Sequence, residues 1–221
     1  MAWAGAWFRS RDTYSRAERL SDAAVHLVAL MTALAAVPVL VVLAVVMRGD
    51  PSAIAGTAIY GAALILMILF SGLYNAFGHR RWGRILRRLD HSAIYVKIAG
   101  TYTPFLLLSG QGIYLLAGLW AAALAGVGLK TVSPDRLRWL GLGLYLAMGW
   151  VGLVAGGAFL ASLSPTVFAL IVTGGVIYTV GVLFYLCGAL PFHNTIWHVF
   201  VMTASFVFFA AVTLQVMATP V

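Results

Sequence analysis

The charged residues of this chain gather in short stretches, and seven apolar blocks separate them. Most of the lysines and arginines fall within Arg9–Arg19, Arg80–Arg88 and Lys130–Arg138. A membrane-spanning helix needs about 20 predominantly apolar residues, so each block can span, the third and fourth only just. The blocks are Ala24–Met47, Ile54–Phe77, Ser92–Ser109, Gly112–Leu129, Leu137–Ala158, Thr166–Leu186 and Thr195–Met217. This pattern predicts an all-α polytopic membrane protein, a bundle of seven transmembrane helices.

The composition supports the same fold class. The chain has 221 residues, of which 62% are hydrophobic and 9% charged, whereas a soluble domain carries about a quarter charged residues. Seven helices of about 20 residues occupy nearly the whole length, which leaves no room for a separate soluble domain. We therefore expect two parts, a cytoplasmic N-terminal segment at 1–23 and a membrane domain at 24–218.

The net charge of +8 does not indicate a nucleic-acid partner. Most basic residues flank the apolar blocks, where topology determinants and contacts with anionic lipid headgroups belong. The expected partners are membrane lipids. Cys187 is the only cysteine, so no internal disulfide can form. The sequence leaves the oligomeric state open.

The basic residues alternate from one loop to the next. The N-terminal tail and the second and fourth loops are rich in lysine and arginine, whereas the first loop holds Arg48 and the third, fifth and sixth hold none. Because basic loops stay in the cytoplasm, we expect the N-terminus inside and, after seven spans, the C-terminus outside. The predicted location is the inner (plasma) membrane, as a multi-pass protein.

This topology brings polar residues from distant segments to one depth, at the cytoplasmic ends of four helices. Polar side chains in spans are costly and usually face a protein interior or a water-filled cavity. The predicted pocket contains Asp22, His26, Asn75, Lys97, His193 and Asn194, with Ser71, Asp90 and His198 at the same level.

Four motifs carry these residues. They are Glu18-x-x-x-Asp22-x-x-x-His26, Ser71-Gly-Leu-Tyr-Asn75, the string "LDHSAIYVKIAGTYTPF" at 89–105 and "PFHNTIWHVFV" at 191–201. Together they resemble the hemolysin III family, the bacterial members of the progestin and adipoQ receptor superfamily. The resemblance covers essentially the whole chain and is most specific in the third motif.

The resemblance implies a zinc site near the cytoplasmic face. It would be held by a histidine ending S-x-x-x-H on the second helix and two in H-x-x-x-H on the seventh, with Ser71 and Asp90 in catalytic roles. In this chain Asn75 and Asn194 occupy two of the three ligand positions, and His198 keeps the third. Amide oxygens are poor zinc ligands, so zinc is possible but its ligand set is incomplete.

Each of these residues also has a purely structural interpretation. Asp22 or Asp90 could cap a helix N-terminus, and Asn194 could do so after Pro191. His26 could be a hydrogen-bonded structural residue. Ser71 could mediate helix packing.

Lys97 lies inside the third block, where a charge is expensive. Its ammonium either extends to the interface or pairs with a carboxylate, for which Asp90 is suitably placed. His193 lies one residue from the ligand position at Asn194 and about 100° around the helix. It therefore cannot simply replace that ligand.

Three functions remain open. The first is a role in lipid or membrane homeostasis through the cytoplasm-facing pocket, without an intact zinc centre. The second is metal-dependent hydrolysis of lipid amides with an altered ligand set. The third is a pore-forming cytolysin, which ranks last because no block shows the repeating polar stripe of a water-filled channel.

Overall fold

The computed structural model describes residues 14–78, 81–132 and 138–218, and every regular element in these ranges is a helix. Seven helices are long, and the sixth is a single short turn between the fifth and the seventh. The helices are α1 (Arg16–Met47), α2 (Pro51–Phe77), α3 (Gly83–Ser109), α4 (Ile113–Val132), α5 (Arg138–Ala155), α6 (Gly157–Ala161), α7 (Pro165–Leu186) and α8 (His193–Met217).

Side-chain caps fix where the helices begin. Ser15 and Glu18 form a capping box at the start of α1, in which each residue satisfies a backbone N–H of the other. Asp50 caps α2, and Ser164 caps α7. A proline follows each of these two caps, where its missing N–H costs nothing. These three helices therefore begin before their apolar blocks, because capped turns extend them beyond the apolar residues.

The observed helix starts exclude the capping roles that the sequence allowed for Asp22, Asp90 and Asn194. Asp22 lies in the second turn of α1, beyond the cap at Ser15, and Asp90 lies inside α3, which begins at Gly83. Asn194 is the second residue of α8, whose N-cap is Phe192. None of the three caps a helix, so their side chains are available for contacts between helices.

Length and composition make five of the described helices, α1, α2, α4, α7 and α8, capable of crossing a membrane. The apolar part of α5, Trp139–Ala155, is shorter, and α3 includes arginines in its first turns. Large apolar side chains point away from the bundle, among them Val28, Val46 and Leu183, which are 66%, 76% and 61% exposed. Such a surface suits a lipid environment rather than water. The prediction of an all-helical membrane protein with several spans is confirmed.

The helices pack mostly as neighbours in chain order, and α8 returns to pack against α1. The α2–α3 contact is close at Gly56, where an added Cβ would lie 2.9 Å from the Cα of Pro104. Tyr60, Tyr95 and Phe105 are the largest fully buried side chains. The first and last helices thus lie side by side, which brings the two ends of the chain together.

Candidate functional site

Six polar side chains from α1, α2 and α8 meet where α1 and α8 begin and α2 ends. The two members on each helix are four positions apart, so they share one face of that helix. Gly72 allows α1 to approach α2 here, because a Cβ at this position would lie 3.3 Å from the Cβ of His26. We call Asp22, His26, Ser71, Asn75, Asn194 and His198 the polar cluster.

The carboxylate of Asp22 lies at the centre of the polar cluster. His198 Nδ1 donates to Asp22 Oδ1 across 2.5 Å, and His26 Nδ1 lies 3.6 Å from Asp22 Oδ2. Asp22 and His26 are each 4% exposed. A buried carboxylate is costly unless it is hydrogen-bonded, so these imidazoles stabilise it in place of water.

Ser71 lies between the two imidazoles. Its Oγ is 3.1 Å from His26 Nε2 and 3.4 Å from His198 Nε2. The other ring nitrogen of His26 contacts the backbone carbonyl of Asp22 at 2.9 Å. The two rings meet edge to face, with centroids 4.4 Å apart. One hydroxyl group therefore faces two imidazole nitrogens, and the contacts of Ser71 extend beyond helix packing.

Asn75 and Asn194 occupy the positions where the resemblance places zinc ligands. Asn194 Nδ2 donates to Asn75 Oδ1 across 3.2 Å and lies 3.5 Å from His198 Nδ1. The three positions are therefore adjacent, but they offer one imidazole and two amides that bond to each other. This donor set does not fit zinc, which takes imidazole, thiolate and carboxylate ligands.

A different group of three residues does have the donor chemistry of a metal site. Within the described residues, ligand atoms of Asp22, His26 and His198 all lie within 4.8 Å of one another, and all three residues are buried. The carboxylate comes from α1 rather than from Asp90 on α3, and the second imidazole comes from α1 rather than from α2.

Residues just outside the polar cluster hold α1 against α8. The carboxylate of Glu18 accepts the backbone N–H of Phe192 at 3.0 Å as well as that of Ser15 at 2.7 Å. Tyr14 Oη contacts His193 Nε2 at 3.0 Å. Sequence reasoning missed Tyr14 and this bridging role of Glu18. The capping-box spacing from Ser15 to Glu18 is a sequence signal that could have located the helix start, although not the contact with α8.

A cavity of about 600 Å³ lies beside the polar cluster and extends among α2, α3, α5, α7 and α8. Four members of the polar cluster line the cavity: Ser71, Asn75, Asn194 and His198. The other two, Asp22 and His26, lie behind them. The remaining wall is largely apolar and includes Phe105, Leu146, Ile171, Val201 and Phe208. The cavity thus joins a polar end to an apolar interior.

The same cavity is also lined by Asp90, Lys97 and His193. All the residues of the predicted pocket therefore lie in or beside it.

The environment of Lys97 differs from both interpretations that the sequence allowed. It is 2% exposed, its Nζ donates to Thr101 Oγ1 at 2.7 Å, and it lies over the rings of Tyr60 and Phe208. Within residues 14–78, 81–132 and 138–218, no carboxylate forms an ion pair with Lys97.

Known proteins resemble the chain over nearly its whole length. The model of the family described as "Haemolysin-III related" matches residues 15–209. The chain is 37% identical to the hemolysin-3 homolog of Bacillus subtilis, over 92% of this chain and 96% of that protein. It is 35% identical to hemolysin-3 of Bacillus cereus, over 95% of this chain and 97% of that protein. The human monocyte to macrophage differentiation factor is 28% identical to the chain, over 70% of this chain and 67% of that protein.

Proposed function

Because the chain belongs to the haemolysin-III-related family of integral membrane proteins, we propose that it binds a membrane lipid in its cavity and serves lipid or membrane homeostasis. The cavity carries this proposal. Its volume of about 600 Å³ falls within the range of small-molecule sites, roughly 300–1,000 Å³. Its apolar wall suits an acyl chain, and the polar cluster suits the polar linkage that follows the chain.

The proposal includes an orientation in the plasma (inner) membrane. In it α1–α5, α7 and α8 cross the bilayer, with the N-terminus in the cytoplasm and the C-terminus outside. The positive-inside rule supports this arrangement, because Arg84, Arg87 and Arg88 lie in the first turns of α3, and Arg87 lines the cavity together with Asn75. The polar end of the cavity then faces the cytoplasmic leaflet.

Burial of an acyl chain supplies the affinity in this proposal. Each buried methylene group contributes about 0.8 kcal/mol, so a chain of ten buried carbons contributes roughly 8 kcal/mol before the costs of binding. The polar cluster adds orientation, since its buried hydrogen-bonding groups favour a ligand that presents matching groups.

Lipid analysis of the purified protein tests the proposal. Gly149 lines the cavity, and the position of its Cβ is open space, so Gly149→Trp should occupy part of the cavity. Gly143 lies on the same helix, is equally open and does not line the cavity, so Gly143→Trp is the matched control. We expect a defined lipid to be retained by the wild type and the control, and at least tenfold less by Gly149→Trp. Equal retention by all three would refute the proposal.

A second candidate is a metal-dependent hydrolase of lipid amides, which the donor group Asp22, His26 and His198 favours. A metal bound there would activate water and polarise the amide carbonyl. The candidate predicts about one equivalent of zinc or a similar metal per purified chain, lost in His198→Ala. A metal-free protein that still turns over a lipid amide would eliminate it.

The third candidate, a cytolysin, is favoured only by the names of the family and of the two Bacillus relatives. It predicts leakage of ions from vesicles reconstituted with the protein. Vesicles that stay tight at high protein load would exclude it.

A further inference from the structure

Ser71, His198 and Asp22 form a continuous chain of hydrogen-bonding groups that ends at the cavity. We propose that Ser71 is an acyl-transfer nucleophile, with His198 as its general base and Asp22 as the residue that orients this base, and that the reaction needs no metal. The substrate class is a lipid ester or amide whose acyl chain lies in the cavity. This inference rests on the proposed function, because the lipid-binding cavity delivers the substrate.

The order of the three residues matches what nucleophilic catalysis requires. Asp22 Oδ1 accepts from His198 Nδ1, which places the proton of the neutral imidazole on Nδ1. The lone pair of Nε2 is then directed at Ser71 Oγ, 3.4 Å away. This distance is long for a hydrogen bond, and such bonds are often looser without substrate. Ser71 and His198 line the cavity, and Asp22 lies buried behind them.

His26 also approaches Ser71, at 3.1 Å, but electrostatics favour His198 as the base. Proton transfer creates an imidazolium, and the nearest carboxylate oxygen of Asp22 lies 2.5 Å from His198 Nδ1 and 3.6 Å from His26 Nδ1. Coulomb attraction varies inversely with distance, so the cation is more stable on His198. His26 is a positioning residue that keeps Ser71 Oγ beside both imidazoles.

The two asparagines complete the site. Asn75 Nδ2 donates to the backbone carbonyl of Ser71 at 2.9 Å and lies 3.4 Å from Ser71 Oγ. Asn194 Nδ2 donates to Asn75 Oδ1. Side-chain amides can stabilise the oxyanion that forms when a nucleophile attacks a carbonyl. The positions that the resemblance assigns to metal ligands therefore hold hydrogen-bond donors, which suit a reaction without metal.

The reaction proceeds in two balanced steps. Ser71 Oγ bonds to the acyl carbon while its proton moves to His198 Nε2, and the leaving alcohol or amine departs with that proton. Water then attacks the acyl-enzyme through the same base, which releases the fatty acid and restores the hydroxyl of Ser71. The net reaction is hydrolysis, and no oxidant or other co-reactant is consumed.

An alkyl fluorophosphonate, which phosphonylates activated serines, tests the proposal on the purified full-length chain. We expect an adduct on Ser71 by peptide mass spectrometry, in the presence of EDTA and phenanthroline. Ser71→Ala should lose it, and Ser109→Ala, at the far end of α3, should retain wild-type labelling. Labelling that chelators abolish and zinc restores, or an unmodified Ser71 in the folded wild-type protein, would overturn the proposal.

Matched variants distinguish the roles of the two histidines, His198 and His26. We expect His198→Gln to slow labelling by at least 100-fold, since glutamine cannot act as a base. His26→Gln should stay within about tenfold, because its amide can still bond to Ser71. Asp22→Asn should slow labelling by at least 100-fold while Asp22→Glu restores part of the rate, which a purely structural role would not predict. Equal losses in the two glutamine variants would contradict the assignment of His198.

The outcomes separate this inference from the proposed function. Retained lipid together with an unreactive Ser71 removes the nucleophile and leaves the lipid-binding role intact. A reactive Ser71 in a protein that retains no lipid removes the proposed function.

Discussion

Replacing Asp22 by asparagine perturbs the polar cluster at its centre with almost no change in shape. The carboxylate is 4% exposed and accepts from His198 Nδ1 across 2.5 Å. Asn194 Nδ2 lies 3.5 Å from the same oxygen, and His26 Nδ1 lies 3.6 Å from the other. In Asp22→Asn one of the two oxygens becomes an NH2 group, which would face neighbours that donate hydrogen bonds.

Two opposing effects determine how much Asp22→Asn changes the free energy of unfolding. Removal of one partner from a buried charged pair costs about 3–5 kcal/mol. The amide keeps one acceptor for His198 and no longer requires a buried charge, and both changes reduce the cost. We expect a net loss of about 2 kcal/mol in the free energy of unfolding. For a chain of this length such a loss lowers the melting temperature by roughly 4–8 °C.

The assay is thermal unfolding in detergent, followed by size-exclusion chromatography of the remaining folded protein. Asp50→Asn is the matched control, since Asp50 caps α2 through the N–H of Ala53 and asparagine caps as well as aspartate. Its ion pair with Arg48 is partly exposed and contributes little. We expect the control to melt within about 1 °C of the wild type. Equal melting temperatures for Asp22→Asn and Asp50→Asn would refute a central role for this carboxylate.

Two further substitutions test the packing and the buried cation. Gly56→Ala should lower the free energy of unfolding by about 1–2 kcal/mol, because overpacking against Pro104 outweighs the gain in helix propensity. The control is Gly118→Ala, whose added Cβ enters open space. It should not lower the free energy of unfolding in the same melting assay. Lys97→Met should raise the free energy of unfolding by about 1 kcal/mol, because it removes a buried charge that pairs with no carboxylate among the described residues. A lower melting temperature would show that the ammonium stabilises the bundle.

Most of the fold follows from the sequence because the bilayer limits the choices. In hydrocarbon every backbone polar group must be satisfied within the segment, so long apolar blocks fold as helices. The predicted hemolysin III resemblance is confirmed by the family match over residues 15–209. Helix starts were less predictable, since polar caps such as Ser15 extend α1 beyond its apolar block. The break at Gly156, between α5 and α6, was not predicted.

The residues of the polar cluster were largely predictable from the sequence, but the hydrogen-bond partners within it were not. Spacing of four residues puts Ser71 with Asn75 and Asn194 with His198 on single helix faces. The spacing could not show which aspartate reaches His198, because Asp22 and Asp90 lie at the same predicted depth. Packing of α8 against α1 decides this in favour of Asp22. Rotation of helices about their axes is a tertiary property that hydropathy does not encode.

The central claim is that the start of α1 meets the start of α8, and a disulfide tests it most directly. Ser21 Oγ lies 3.0 Å from Thr195 Oγ1, a separation that suits two bridged cysteines. In a Cys187→Ser background, Ser21→Cys with Thr195→Cys should form a disulfide on mild oxidation in membranes. Ser21→Cys with Thr203→Cys, about 12 Å further along α8, should not. Failure of the first pair to cross-link in folded protein, or equal cross-linking of both pairs, would contradict the account.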